Sequence, residues 1–331
     1  MYNFNYANIQ RTVNILPEQQ KTEKKEKKIE TSKQNLKKYS DFLICPLCGS
    51  DFVLYGSANS SSLKCRNNNH TYDISKKGYV NLFNGQTKIV KTYDKNLFAA
   101  RKIVSDAGLY GKLTETLCEI INNINYTDNA NPRAFLDAGC GCGNLTADIF
   151  NIIKTGKNTG ESVLFAVDLS KDGIDFAASD FCEKNLLWIV ANLNNLPLSE
   201  NKFDVILNIM SPANYLEFQR VLKPGGVLLK VVPDSDYLKE LRRFIYKEND
   251  KNEYSNKDVL ANLEENMTVT DITGVKYNCA VRKSALPALF DMTPLTLNIK
   301  DRERVKDELT GSNDGLELTL AFKIAVCKSR K

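Results

Sequence analysis

Apolar residues between positions 134 and 232 of this chain gather in five short runs, and segments with apolar residues at helical spacing lie between several of them. The runs lie at 134–137, 163–167, 186–190, 203–209 and 227–232. Continuous apolar runs of this length are typical of buried parallel strands, and strands that alternate with helices build a doubly wound α/β sheet. The pattern predicts such a sheet, completed by a mixed helix–loop segment over 235–265 and two strands near 269–275 and 316–326.

The first third of the chain has a different pattern. Residues 1–40 are polar with little periodicity, which favours a solvated, disordered or loosely helical extension. Residues 52–64 are predicted to form a strand, a turn and a strand, and residues 97–118 show helical spacing with a break at 107–110. These changes divide the chain into four parts. We predict an extension over 1–40, a small module over 41–84, a basic helical connector over 85–132 and the sheet domain over 133–331.

A turn rich in glycine follows the first predicted strand. Asp137 ends the strand, and Gly139, Gly141 and Gly143 come directly before a helical segment. Glycine lets the backbone turn tightly and lets a ligand lie against it without an intervening Cβ. The Gly-x-Gly-x-Gly spacing differs from that of dinucleotide binders and is typical of Rossmann-like S-adenosylmethionine (SAM) methyltransferases. The turn therefore predicts a SAM site.

Polar residues follow the next three strands. Asp168 ends the second strand, where a carboxylate accepts hydrogen bonds from ribose hydroxyls in nucleotide folds. Asn192 follows the third strand, at the position that pairs with the adenine amino group in methyltransferases. Asn208, Ser211 and Pro212 lie at the end of the fourth strand and are candidates for orienting the acceptor. Asn208 has an equally weighted alternative, a sheet-end side chain satisfied by backbone groups.

Four residues of the small module have the spacing of a zinc site. Cys45 and Cys48 form a Cys-x2-Cys pair, and Cys65 and His70, the single histidine of the chain, follow after a gap of zinc-ribbon length. All four ligands come from the protein, so the predicted role is structural: the metal supplies folding free energy that a short module cannot obtain from its core. The alternatives are four unrelated residues in a loop, or a redox pair at Cys45 and Cys48.

Composition narrows the class of protein. The chain has 331 residues, of which 42% are hydrophobic, and nine cysteines. It contains no apolar run long enough to span a membrane and no N-terminal secretory pattern, so we expect a cytoplasmic protein with reduced thiols and no membrane partner. The sequence leaves the oligomeric state open, with a homodimer among the alternatives.

The distribution of charge is more informative than its total. The net charge is +5, and residues 1–40 carry nine basic against four acidic residues, which leaves 36 of each in the remainder. Between residues 76 and 112 lie eight basic and two acidic residues, interleaved with aromatic residues. Among these aromatic residues are Tyr79, Phe83, Tyr93 and Phe98. This mixture suits RNA, with phosphate contacts and stacking platforms, or equally a solvated linker whose aromatic rings pack onto the main domain.

Taken together, these motifs resemble one family, the large-subunit rRNA guanine-N1-methyltransferases of the RlmA type, over roughly residues 41–330. The matching residues are the zinc set; Tyr72-Asp73; Lys77-Gly78-Tyr79-Val80-Asn81-Leu82; Asp106-Ala107-Gly108 with Tyr110; the glycine turn; Asp168; Leu196-Pro197; Pro212; Lys223-Pro224-Gly225-Gly226; and Met292-Thr293-Pro294.

The resemblance implies a Rossmann-like class I SAM-dependent methyltransferase with a small zinc-ribbon-like domain. It also implies SAM as methyl donor, N1 of a guanine in a hairpin of 23S rRNA as acceptor, and a zinc domain that helps hold the RNA. Tyr110, Gly141, Cys142 and Asp168 are then expected to contact the cofactor. Leu109 and Tyr237 stand where family members often carry histidine, and Tyr237 is retained as a cofactor contact.

Two other functions remain open at this stage. The neutral sheet domain also suits a SAM methyltransferase that acts on small molecules, although such enzymes rarely need a zinc module. A non-catalytic RNA-binding protein that retains the fold is the third alternative, but the glycine turn and Asp168 are intact. No histidine lies in the sheet domain, so the sequence assigns no general base.

Overall fold

The computed structural model describes residues 18–56, 61–85, 94–126, 132–156, 161–246, 254–297, 299–312 and 314–330. Over these residues the chain forms two sheets surrounded by helices. The strands are β1 Phe52–Gly56, β2 Ser61–Cys65, β3 Thr71–Asp73, β4 Val80–Asn81, β5 Arg133–Ala138, β6 Ser162–Asp168, β7 Leu186–Val190, β8 Phe203–Ile209, β9 Leu222–Pro233, β10 Thr268–Arg282 and β11 Gly315–Lys328. The helices are α1 Glu18–Lys38, α2 Lys95–Asp106, α3 Gly111–Asn122, α4 Asn144–Ile153, α5 Lys171–Asp180, α6 Tyr215–Val221, α7 Lys239–Tyr246, α8 Lys257–Asn266, α9 Leu286–Met292 and α10 Arg302–Ser312.

The larger sheet confirms the predicted Rossmann-like architecture. Its strand order is β10-β11-β9-β8-β5-β6-β7-β4, and β11 is antiparallel to both of its neighbours. The pairs between β9 and β4 are all parallel, so the carboxyl ends of these strands meet at one edge. Ligands of open α/β sheets bind at this edge.

Both faces of the sheet are covered, which explains the continuous apolar runs. Phe135 packs into the core on one face and Leu136 into the core on the other, because successive side chains of a strand point to opposite sides. In β7, Trp188 packs into the same core as Phe135, and Leu187 packs into the same core as Leu136. A strand buried on both faces needs apolar residues at every position, not at alternate ones.

The prediction of an extension over residues 1–40 is wrong for its C-terminal part. Residues 18–38 form α1, and Leu36 and Tyr39 are buried against the sheet domain. The Asn35 side chain donates to the carbonyls of Glu183 and Leu186 at 2.9 and 3.0 Å and accepts from the amide of Asn185 at 2.8 Å. The sequence signal was weak because only a few residues of this polar helix make these contacts. Residues 1–17 lie outside the described residues.

We expect the substitution Asn35→Ala to lower the free energy of unfolding by about 2 kcal/mol, because it leaves buried backbone groups without partners. Chemical denaturation measures this loss. The matched control is Gln34→Ala on the exposed face of the same helix, where the side chain bonds Glu30 of the helix itself. Equal stabilities of the two variants would contradict the docking of α1.

Parts of two predicted segments join the sheet domain. Val80–Asn81, near the end of the predicted small module over 41–84, adds to the edge of the large sheet beside β7. The connector over 85–132 is part of the sheet domain, since α2 and α3 bury apolar residues in its core. The sequence obscured this because the segment has an excess of basic residues, of which Lys95 and Lys112 are exposed.

The aromatic residues of that segment follow the packing alternative where they are described. Phe98 is 1% and Tyr79 5% exposed, so neither offers a free stacking platform, and Phe83 is half-buried. Tyr93, Lys88 and Lys91 lie outside the described residues. Within the described part of the chain, no helix is long and apolar enough to cross a membrane.

Candidate active site and metal centre

The glycine turn connects β5 to α4 at the carboxyl edge of the sheet. Gly139, Gly141 and Gly143 all have left-handed backbone conformations, with φ of +97°, +57° and +79°. A Cβ on Gly139 would lie 1.9 Å from Ser211 Oγ, and one on Gly143 would lie 2.6 Å from Trp188 Cη2. The turn therefore depends on the absence of side chains, both for its conformation and for its packing.

Asp137, the last residue but one of β5, has one carboxylate oxygen without a hydrogen-bond partner. Its Oδ2 accepts from Thr146 Oγ1 at 2.6 Å, whereas Oδ1 is buried and has no hydrogen-bond partner. Burial raises the pKa of Asp137 to about 7. A buried carboxylate with an unused oxygen is costly, and a cationic or hydrogen-donating ligand would offset that cost.

Asp168 and Asn192 lie at the same edge: Asp168 is the last residue of β6, and Asn192 follows β7. The Asp168 carboxylate accepts from the amide of Gly141 at 2.9 Å and from that of Ser170 at 2.7 Å. Each oxygen keeps capacity for a further donor, which is what two ribose hydroxyls require. Asn192 Oδ1 accepts from the amide of Asn194 at 3.0 Å, which holds the loop after β7 in a turn.

The opposite wall combines α2 and α3, from outside the predicted sheet domain, with residues from inside it. Tyr110, at the start of α3, and Tyr237 face each other with hydroxyl oxygens 3.3 Å apart, and burial raises the pKa of both. Arg101 of α2 donates from Nε to the carbonyl of Met292 at 3.3 Å, which joins α2 to the end of α9. These groups and the strand ends enclose a cavity of about 680 Å³.

The cavity collects the predicted cofactor residues. Its lining includes Tyr110, Asp137, Gly139, Gly141, Cys142, Gly143, Asp168, Asn192 and Tyr237. Sequence reasoning missed Phe98, Arg101 and Ser105 as cavity residues, because α2 was assigned to a connector. Met292, Thr293 and Pro294 also line it, and only the family resemblance had singled them out.

The candidates after β8 separate into two groups. Ser211 and Pro212 line the cavity, but Asn208 is fully buried and does not. Asn208 Nδ2 donates to the carbonyls of Ala138 and Pro212 at 2.7 and 3.1 Å, so its assignment to substrate contact is wrong and the backbone alternative holds. The side chain fastens the end of β8 to that of β5.

The four predicted zinc ligands converge. One ligand atom from each of Cys45, Cys48, Cys65 and His70 lies within 4.8 Å of the others. The Cys48 and Cys65 sulfurs are 3.8 Å apart, and His70 Nδ1 is 3.4 Å from the sulfur of Cys45. Sulfurs on a tetrahedral zinc ion with Zn–S bonds of about 2.3 Å lie about 3.8 Å apart. Hydrogen bonds, first from Ser50, lower the pKa of Cys48 to about 5 and favour the thiolate that binds zinc.

Comparison with known proteins identifies the family. A family described as "Methyltransferase domain" matches residues 135–226, and one described as "RlmA, N-terminal" matches residues 43–91. A protein of Bacillus subtilis, named provisionally as a 23S rRNA (guanine-N1)-methyltransferase, is 36% identical over 285 residues, which cover 84% of this chain and 96% of that protein. The chain belongs to the RlmA-type family of 23S rRNA guanine-N1-methyltransferases. The 23S rRNA (guanine(748)-N1)-methyltransferase of Streptomyces fradiae is 30% identical over 201 residues, which cover 60% of this chain and 66% of that protein.

In this RlmA-type methyltransferase the residues present fit both expected ligands. The glycine turn leaves space that a Cβ would fill, and the orphaned Asp137 oxygen suits a ligand that carries positive charge, as SAM does. Three thiols and one imidazole at tetrahedral spacing are the donor set of a structural zinc ion. A redox pair at Cys45 and Cys48 would not explain why Cys65 and His70 lie beside it.

One buried cation of the RlmA-type methyltransferase escaped sequence reasoning. Lys230 of β9 is 3% exposed, and its Nζ donates to Asn208 Oδ1 at 2.5 Å and to the carbonyl of Ser211 at 2.6 Å. Burial lowers the pKa of Lys230 to about 8. A lysine within an apolar strand carries no sequence signal of its own, so only the structure reveals its position.

Proposed function

We propose that this protein transfers a methyl group from SAM to N1 of a guanine in a hairpin loop of 23S rRNA. The observation that carries the proposal is the combination, in one chain, of an RlmA zinc ribbon with a methyltransferase cavity whose glycine turn and unpaired Asp137 oxygen suit SAM. A methyltransferase that acts on small molecules does not need the ribbon. The proposed site of action is the cytoplasm.

Different cavity residues are proposed to bind different parts of SAM. Asp168 accepts from the ribose hydroxyls, Asn192 accepts from the adenine amino group, and Asp137 faces the positively charged part of the ligand. Gly139, Gly141, Cys142 and Gly143 supply the surface on which SAM lies, and Tyr110 and Tyr237 close the opposite side. SAM supplies a methyl group already activated by its sulfonium, so the task of the protein is mainly to align the acceptor with it.

The ribbon supports an RNA acceptor. Tyr55 of β1 is 63% exposed, and Lys64 Nζ of β2 lies 5.1 Å from the centre of its ring. Leu47, in the knuckle between two zinc ligands, is 57% exposed. An exposed aromatic ring beside a cation suits an unpaired base and its phosphate. Guanine N1 takes part in base pairing, so the acceptor must come from a loop or leave its stack.

The test incubates purified protein with labelled SAM and, separately, with a 23S rRNA hairpin or a pool of small metabolites. We expect label only in the RNA arm, recovered as 1-methylguanosine after nuclease digestion and mass spectrometry. The variant Asp168→Ala provides the inactive control, since it removes the acceptor of the ribose hydroxyls. Label confined to small metabolites would overturn the RNA assignment.

A further inference from the structure

A second cavity adjoins the cofactor cavity along the loop after β8. It measures about 510 Å³, within the range of small-molecule sites. The two cavities share the lining residues Met210, Ser211, Pro212 and Pro233, so they border one another. A base in the second cavity would therefore lie next to the methyl donor at this shared border. The cavity is thus placed to take the acceptor.

The lining of the second cavity suits a nucleobase. Tyr215 and Tyr254 supply aromatic rings, and bases stack on such rings. Lys230 lines the same cavity. An ammonium has three N–H donors, and the bonds to Asn208 and Ser211 use two. Both acceptors are neutral, so within the described part of the chain the buried charge of Lys230 has no carboxylate partner.

The guanine acceptor can itself supply the negative charge that pairs with Lys230. Guanine N1 carries a proton, and loss of this proton leaves a negative charge shared between N1 and O6. The N1 proton passes to water. The electron pair left on N1 then forms the new bond to the methyl carbon. The carbon–sulfur bond breaks at the same time, and its electron pair goes to sulfur. A fixed, desolvated ammonium beside O6 stabilises the anion before that bond forms. No histidine is then required as a base.

We propose that Lys230 is a catalytic residue that donates to O6 of the target guanine and stabilises its N1-deprotonated form in the second cavity. This inference rests on the proposed function. Asn208 and the Ser211 carbonyl hold the ammonium in place, and Asn208 is thus a positioning residue. The arrangement also favours guanine over adenine, because adenine has an amino donor at position 6 where guanine has an acceptor.

The test compares single-turnover methylation of the hairpin by wild type, Lys230→Met and Lys230→Gln at saturating SAM. Glutamine keeps a hydrogen-bond donor for Asn208 but carries no charge. Comparison of the two variants therefore separates the effect of the charge from the effect of the hydrogen bond to Asn208. We expect both variants to slow methyl transfer by about 30-fold at pH 7. Calorimetry should give a Kd for SAM within about threefold of wild type, which also shows that the variants fold. The control Lys328→Met removes an exposed lysine from β11 and should leave the rate unchanged.

The pH profile distinguishes catalysis from a structural role. As pH rises from 7 to 9.5, free guanine N1 ionises without help, and Lys230, whose pKa burial lowers to about 8, loses its charge. Both changes remove the advantage of the wild type, so the rates of the variants and of the wild type should converge. The other titratable groups around this cavity are Tyr215, Tyr254 and Asp258. Burial raises the pKa of Tyr215 to about 12 and also raises that of Tyr254, so neither tyrosine titrates in this range. Asp258 is an exposed carboxylate.

The outcomes separate the inference from the function on which it rests. A wild-type enzyme that makes 1-methylguanosine while Lys230→Gln runs at the wild-type rate overturns the inference alone. A methylation rate of the variants that stays below wild type by the same factor across the pH range also overturns the inference. Ionisation of the guanine cannot repair a loop that the substitution has displaced. A wild-type enzyme that leaves the guanine unmethylated overturns the proposed function and the inference with it.

Discussion

The substitution Gly139→Ala is expected to weaken SAM binding by about 100- to 1000-fold. Two costs add at this position. A φ of +97° is unfavourable for alanine by about 1–3 kcal/mol. The new Cβ would also lie 2.5 Å from Ser211 Cβ and 1.9 Å from Ser211 Oγ, and overpacking of this kind costs about 1–3 kcal/mol. We expect the turn to relieve both costs by adopting another backbone conformation, in which it no longer forms the wall of the cofactor cavity.

Isothermal calorimetry with SAM measures the effect. The chain offers a matched control in Gly274→Ala: Gly274 lies in β10, and no atom lies within 4 Å of the position of its Cβ. We expect Gly274→Ala to bind SAM within about twofold of wild type, as surface substitutions away from special backbone conformations usually do. Similar affinities for the two alanine variants would show that the turn after β5 does not hold the cofactor.

The double variant Gly139→Ala/Ser211→Gly separates the two costs. Removing the Ser211 side chain abolishes the contact but leaves the backbone strain, so affinity should recover in part. Full recovery would assign the whole effect to the contact between the turn and the loop after β8. No recovery would assign it to backbone conformation alone.

The strands of the sheet domain could be predicted closely because each is buried on both faces. β7 and β8 begin and end at the predicted residues, 186–190 and 203–209. A parallel strand of this kind must be apolar along its whole length, so the sequence marks both of its ends. β10 extends to Arg282, beyond the predicted end near 275, because exposed residues interrupt its apolar pattern.

The floor of the cavity was predictable from the strand ends, whereas its opposite wall was predicted only in part, through Tyr110 and Tyr237 of the family resemblance. Asp137 and Asp168 lie at the ends of their strands and the glycines directly after β5, and topology brings strand ends together whatever the distance along the chain. Phe98 and Arg101 reach the cavity because α2 packs against α9, nearly 200 residues later in the chain. That contact depends on how two helices pack, which no local pattern encodes. The Lys230–Asn208 contact is hidden for the same reason.

The substitution Cys65→Ser is expected to abolish stoichiometric zinc binding and to unfold the small sheet of β1, β2 and β3. Cys65 is 1% exposed and lies at the end of β2, so it joins the metal to the sheet directly. A structural zinc ion contributes on the order of 10 kcal/mol of binding free energy, more than the core of a module this small can supply. Elemental analysis measures the metal, and far-ultraviolet circular dichroism measures the loss of strand.

The same variant separates the two functions assigned to the chain. The cofactor cavity is formed by the large sheet and its helices, so Cys65→Ser should retain SAM binding while methylation of the rRNA hairpin falls to background. The control Cys279→Ser, in β10 and away from the cluster, should keep both the zinc and the activity. Methylation of the hairpin at the wild-type rate by a zinc-free Cys65→Ser protein would show that the ribbon takes no part in presenting the RNA, and the acceptor would then have to be held by the large domain alone.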